Sequence, residues 1–310
     1  MKTVNLQIRT VRLAGLFCLL LAWTACSDET VIDPPGEDTP IMIRAEISTS
    51  DADTRADGGE TTETAADDPA NVYDRSSFIA NDKIRVTRTN PNDSKDYLLG
   101  ADGKNWAVIG TAPLTLRIGA SYEATFPHDY KNIQKDQSTQ ANYLASNLLK
   151  SPAATSSSGE LNFTGDNAFL HQNTKITLVF TGKAGADASG KGAALTGTFS
   201  NFTITGTGLC TGGASSEQMS FYRPETNVAT WHGIVYPKKG TSTTGTDISL
   251  ALTYDNVKYS AMIKCPMEAG KHYQYDLKIE NDILVPNGMT IENWQSGDSY
   301  TGGFDTAPNT

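Results

Sequence analysis

Apolar and polar residues alternate with a period of two along most of the chain. In residues 41–49, Ile41, Ile43, Ala45 and Ile47 alternate with Met42, Arg44, Glu46 and Ser48, the pattern of a strand with one buried face. From residue 82 onward the same period recurs in short runs. Ile84 and Val86 form one, and Trp106, Val108, Leu114, Leu116, Ile118, Tyr122 and Phe126 mark three more, punctuated by Gly110, Pro113 and Gly119. In the second half, Ile176, Leu178 and Phe180 mark a strand, and residues 195–205 another. Two alternating runs flank Asp255-Asn256, a two-residue hairpin turn. Tyr273, Tyr275, Leu277 and Ile279 alternate strictly with polar residues, and Asn287-Gly288 predicts a further turn. One helix is expected, over residues 136–150, where Ala141, Leu144, Ala145 and Leu148 fall at helical spacing. Ser138 would cap its start and Pro152 would stop it.

Many short strands separated by turn residues predict an all-β protein of β-sandwich type. The length, 310 residues, suits two sandwiches, divided near the polar loop that ends at residue 160. The expected domains are therefore 41–160 and 161–310, with a loose polar tail after Ser296.

The segments around residues 41–49 have a different composition. Lys2, Arg9 and Arg12 precede an eleven-residue apolar run, Leu13 to Trp23, too short to span a bilayer but suited to the core of a signal peptide, residues 1–25. Thr24 and Ala25 lead into Cys26, an arrangement resembling a bacterial lipobox, in which the thiol is acylated and the cysteine becomes the new N-terminus. Ser27, Asp28 and Glu29 resemble the acidic surface-export signal of lipoproteins in some Gram-negative anaerobes. Residues 26–40 read as an acidic, proline-bearing tether, and residues 50–71 as a second polar linker. One good strand thus lies between two segments unable to build a core. Arg55, followed by Ala56, is a basic residue in that second linker, where small polar residues favour proteolysis. The same arginine also suits a solvated linker that is never cut.

Charge and chemistry narrow the function. A net charge of -10 with no basic stripe argues against a nucleic-acid partner. His128, His171, His232 and His272 are scattered without metal-binding spacing, and no nucleophile elbow, phosphate loop or paired-carboxylate constellation is present, so no catalytic residue, metal or cofactor is assigned beyond the covalent lipid on Cys26. With Cys18 in the signal and Cys26 acylated, Cys210 and Cys265 remain, either as a disulfide or as two buried thiols. Trp106, Tyr222, Trp231 and Tyr236 read as a sugar-stacking surface or as core.

Three stretches resemble the fimbrillin family of outer-membrane lipoprotein subunits. They are Cys26 with its single strand and Thr54-Arg55-Ala56; Phe169-Leu170-His171 leading into Lys175-Ile176-Thr177-Leu178; and the closing run with Gly270, Tyr273, Tyr275, Ile291 and Trp294. The resemblance implies two tandem transthyretin-like β-sandwiches and a non-enzymatic fimbrial subunit. It further implies cleavage at Arg55 by an Arg-specific protease, loss of the strand carrying Ile41, Ile43, Ala45 and Ile47, and refilling of its groove by a neighbouring subunit. The expected partners are other fimbrial subunits, the outer membrane through the lipid, and a host or bacterial surface receptor or glycan. The alternative is a monomeric glycan-binding surface lipoprotein, which shares the tether and the sandwiches.

Overall fold

The computed structural model describes residues 39–48, 77–183, 192–224, 229–238, 245–294 and 300–301. The strands are β1 (Met42–Ala45), β2 (Lys83–Arg88), β3 (Asp93–Leu99), β4 (Trp106–Val108), β5 (Tyr122–Phe126), β6 (Leu149–Lys150), β7 (Glu160–Phe163), β8 (Leu170–His171) and β9 (Thr174–Gly182). They continue as β10 (Phe199–Thr207), β11 (Ser216–Met219), β12 (Thr230–Val235), β13 (Thr246–Tyr254), β14 (Val257–Cys265), β15 (Lys271–Glu280), β16 (Ile283–Asn293) and β17 (Tyr300–Thr301). A short helix, α1 (Gln140–Ala145), lies between β5 and β6.

Among the described residues the buried apolar side chains fall into two clusters, one per sandwich. The first lies between the six-stranded sheet β4-β3-β2-β5-β6-β8 and the pair β1-β7. The second fills the space between β12-β9-β15-β16-β17 and β11-β10-β13-β14. Period-two alternation supplies both cores. Ile248, Leu250 and Leu252 point inward from β13, while Asp247, Ser249 and Ala251 are exposed. On β15, Tyr273, Tyr275, Leu277 and Ile279 are buried, and their neighbours are half-buried. Strand β9 is buried almost throughout because it runs between β12 and β15, parallel to β15.

Local turn chemistry fixes the hairpins. Asp255 and Asn256 have φ of 46° and 66°, the two left-handed residues that a twisted two-residue hairpin requires. Asn287-Gly288 is not a turn. The chain reverses instead at Asn281 and Asp282, with φ of 51° and 61°, and β16 continues through residue 287. The register jumps there: Asp276 pairs with Gly288 and Leu277 with Pro286, so Asn287 is an extra residue bulged out of the ladder.

The helix is also shorter than its spacing predicts. Thr139, rather than Ser138, caps it, its side chain accepting from the Asn142 N–H. Beyond Ala145 the chain is drawn off the helix: the Ser146 hydroxyl donates back to the Asn142 carbonyl, and Leu149–Lys150 pairs with both β5 and β8. The division between the two cores falls later than residue 160. Leu161, Phe163 and Phe169 belong to the first cluster, because β7 pairs with β1 from the start of the chain. Conversely, Ile133 and Tyr143 pack into the second cluster. The Gln137 amide pairs with both backbone groups of Ile234, covering the β12 edge with a side chain.

At Gly233, on β12, a Cβ would lie 2.0–2.2 Å from the Phe221 ring. The ring packs flat onto the strand only because that residue has no side chain. Gly233→Ala should therefore destabilise the protein by about 1–3 kcal/mol in urea denaturation. An unchanged midpoint would show that Phe221 repacks freely.

Candidate functional site

The segment 39–48 lies in a slot on the first sandwich. β1 pairs in parallel with β7, with Met42 opposite Glu160, Ile43 opposite Leu161, Arg44 opposite Asn162 and Ala45 opposite Phe163. Backbone bonds extend the docking in both directions. The Met42 N–H donates to the Gly159 carbonyl at 2.8 Å and the Glu46 N–H to Phe163 at 3.0 Å, while the Ser48 N–H donates to the Phe169 carbonyl and the Phe169 N–H to the Glu46 carbonyl, both at 2.9 Å. At the other side of the slot, the Ile41 N–H donates to Leu114 at 3.0 Å, and the Leu116 N–H to Thr39 at 2.8 Å. That wall is itself pinned. Leu114 and Arg117 N–H groups donate to the buried hydroxyls of Tyr97 and Tyr122, and the buried Arg88 guanidinium donates to the Thr115 carbonyl.

Side chains follow the expected alternation. Ile41, Ile43 and Ile47 are each 5% exposed and join the first core, Ala45 is half-buried, and Met42 faces out at 66%. At about 1.5–3 kcal/mol per buried side chain, the three isoleucines contribute on the order of 5–9 kcal/mol before the entropy of ordering the strand is subtracted. Arg44 forms an ion pair with Glu160 across the parallel ladder, at the surface, where such pairs add little. Hollows adjoin the docked segment. One of about 450 Å3 is lined by Ala45, Glu46 and Ile47 together with Phe78, Leu99 and Trp106. A second, of about 240 Å3, is lined by Ile47, Phe126, Leu149 and His171 among others. Phe78 seals the region with edge-to-face contacts to Trp106, Phe126 and Phe169 at 5.0–5.4 Å.

The sequence profile of the fimbrillin-like family matches residues 53–294. The chain belongs to the fimbrillin-like family. Membership places it among fimbrial subunits and adhesins of the cell surface. Two solved structures have the same fold. A protein of Bacteroides ovatus, provisionally described as a cell adhesion protein, superposes with a TM-score of 0.55 at 16% identity, covering 84% of this chain and 99% of its own. Another so described, from Bacteroides uniformis, gives 0.52 at 14% identity, with 84% and 100% covered. No curated protein matches.

In this fimbrillin-like chain, two of the stretches that carry the sequence resemblance meet. The His171 ring stacks on Trp294, centroids 4.0 Å apart and planes 7° from parallel, while His171 Nδ1 lies 2.9 Å from Asn147 Oδ1. The Trp294 backbone N–H donates to the Gly270 carbonyl. His171 is thus a packing residue between the sandwiches' strands. His232 and His272 both hydrogen-bond the Thr177 hydroxyl across neighbouring strands. Cys26, Arg55 and Ala56 lie outside the described residues. Cys210 and Cys265 are buried free thiols, and burial pushes them up to about 11 and about 12 respectively. Of the four aromatics considered for sugar stacking, Trp231 is core, Tyr222 packs on Tyr143 and Trp106 on Phe78; Tyr236 is exposed. Sequence reading identified the strand but not its slot. Leu114, Leu116, Leu161 and Phe169 carry no local mark of lining one groove.

The buried row makes the strand's docking measurable. Ile43→Ala should cost about 2–5 kcal/mol in the uncleaved protein, whereas Met42→Ala should stay within about 0.5 kcal/mol. Equal losses in urea denaturation would show that the isoleucine row does not hold the segment.

Proposed function

We propose that this protein is a non-enzymatic fimbrial subunit, tip or accessory in position, that assembles by strand exchange and mediates adhesion. In this reading Cys26 carries the lipid that tethers the precursor to the outer membrane. Cleavage after Arg55 releases residues 41–49, and a strand of a neighbouring subunit takes the vacated slot.

The observation that carries the proposal is the docking of residues 39–48. The segment is ordered, buries three isoleucines, and among the described residues pairs as a strand with β7 alone, with isolated bridges to Thr115 and Phe169. It is joined to the rest of its sandwich through the polar linker that holds Arg55. Its departure would leave unpaired backbone on β7 and at residues 114–116, above an apolar floor that templates another strand. The incoming strand would have to lie parallel to β7 and offer branched apolar residues at alternate positions. A tip or accessory role suits the composition of residues 295–310. After Trp294 only Tyr300 and Phe304 are large and apolar, and β17 pairs with β16 at two residues, which makes a poor donor.

Intact mass and N-terminal sequencing of protein sheared from cells test this directly. Subunits beginning at Ala56, in detergent-resistant ladders, are expected. Monomer that retains an acylated Cys26 in the presence of the native protease would overturn strand exchange.

A further inference from the structure

Away from the slot, the second sandwich carries an open hollow of about 790 Å3. Gln172, Gly212, Tyr236, Lys238 and Glu268 line it. They come from four loops that are far apart in sequence and bonded to one another through the backbone. The Tyr236 N–H donates to Leu209 at 2.6 Å, the Lys238 N–H to Met267 at 2.7 Å and the Gly270 N–H to Asn173 at 3.0 Å. The Thr174 hydroxyl adds a 2.6 Å bond to the Glu268 carbonyl. The walls are therefore set before any ligand arrives, which lowers the entropy cost of binding.

An aromatic plate stands in this frame. Gly212 has φ of +70°, and a Cβ there would lie 2.5 Å from two ring carbons of Tyr236. The ring can rest against the glycine only because no side chain intervenes. The residue nevertheless stays 42% exposed. A single exposed tyrosine needs no explanation, but polar side chains line the hollow beside it. Lys238 and Glu268 line the same hollow, yet neither forms an ion pair with any described residue. The Gln172 amide nitrogen is committed to the Leu170 carbonyl at 2.9 Å, which fixes the side chain. A fixed ring flanked by one ammonium, one carboxylate and one anchored amide matches a pyranose. The sugar's C–H face stacks on the ring, and its hydroxyls need both donors and acceptors around the rim. The two charges cancel locally, and the chain's net charge of -10 disfavours polyanions.

We propose that this hollow is a binding subsite for a neutral pyranose residue of a surface glycan, with Tyr236 as the stacking plate and Glu268, Lys238 and Gln172 as hydroxyl partners. The inference gives the adhesive part of the proposed function a ligand class and rests on that part alone; it holds whether or not the first strand exchanges.

Saturation-transfer NMR of the purified protein with methyl glycosides of glucose, galactose, mannose and N-acetylglucosamine, alongside an array of neutral and acidic glycans, supplies the test. At least one neutral sugar should bind. Tyr236→Ala should weaken that binding about tenfold or more, whereas Tyr236→Phe should keep it within about threefold. Glu268→Gln should also weaken it, with melting temperatures of all three variants unchanged. Absence of any glycan binding overturns the proposal. So does binding confined to acidic glycans, or binding that survives both Tyr236→Ala and Glu268→Gln. The detergent-resistant ladder keeps the two readings apart. A ladder without glycan binding removes this site and leaves assembly standing, and glycan binding without a ladder does the reverse.

Discussion

The parallel pairing of residues 42–45 with residues 160–163 is the constraint on which the first sandwich depends. More than a hundred residues separate the two segments, so the contact is made late in chain order and closes the core rather than seeding it. Once made, it places Ile41, Ile43 and Ile47 over Leu161, Phe163 and Phe169, and brings Thr39 to Ile41 against the wall at residues 114–116. Backbone pairing there gives direction, and the isoleucine row gives most of the energy. A parallel strand cannot be joined to its neighbour by a tight turn, so residues 42–45 are held against β7 by pairing and burial rather than by a short connection.

Legibility in the sequence followed the range of the interactions. Where one strand decides its own burial, alternation was sufficient, as for Ile41 to Ile47 and for Tyr273 to Ile279. Where two adjacent residues decide a reversal, turn chemistry was sufficient, as at Asp255-Asn256. Asn287-Gly288 shows the limit of that rule. The pair has the composition of a hairpin, but the long β15–β16 ladder absorbs it as a bulge, and the reversal moves to Asn281-Asp282. The helix was overextended for a similar reason: Leu148 to Lys150 keep the spacing of a helix, yet pairing with β5 and β8 outweighs it.

Long-range partners left no such trace. Nothing local distinguishes Phe169, which completes the first core, from Ile176, which belongs to the second. Gln137, which bonds to Ile234, looks like any polar loop residue until the fold brings β12 beside it. The same holds for the sugar-binding proposal. Trp231 and Tyr236 are five residues apart on one segment, and only the packing of Phe180 and Phe199 around the first decides that it is core and leaves the second outside.

The bulge at Asn287 has a bearing on solubility. Ile283 and Val285 are both exposed on β16, and among the described residues the outer margin of that strand is paired only at Thr290 and Ile291. A straight apolar margin of this kind invites indiscriminate aggregation. Pro286 removes one donor from the row, and the adjacent extra residue bends the ribbon, so a stranger's chain cannot zip along it. The kink that displaced the expected turn thus blunts an edge that would otherwise offer itself to any passing strand.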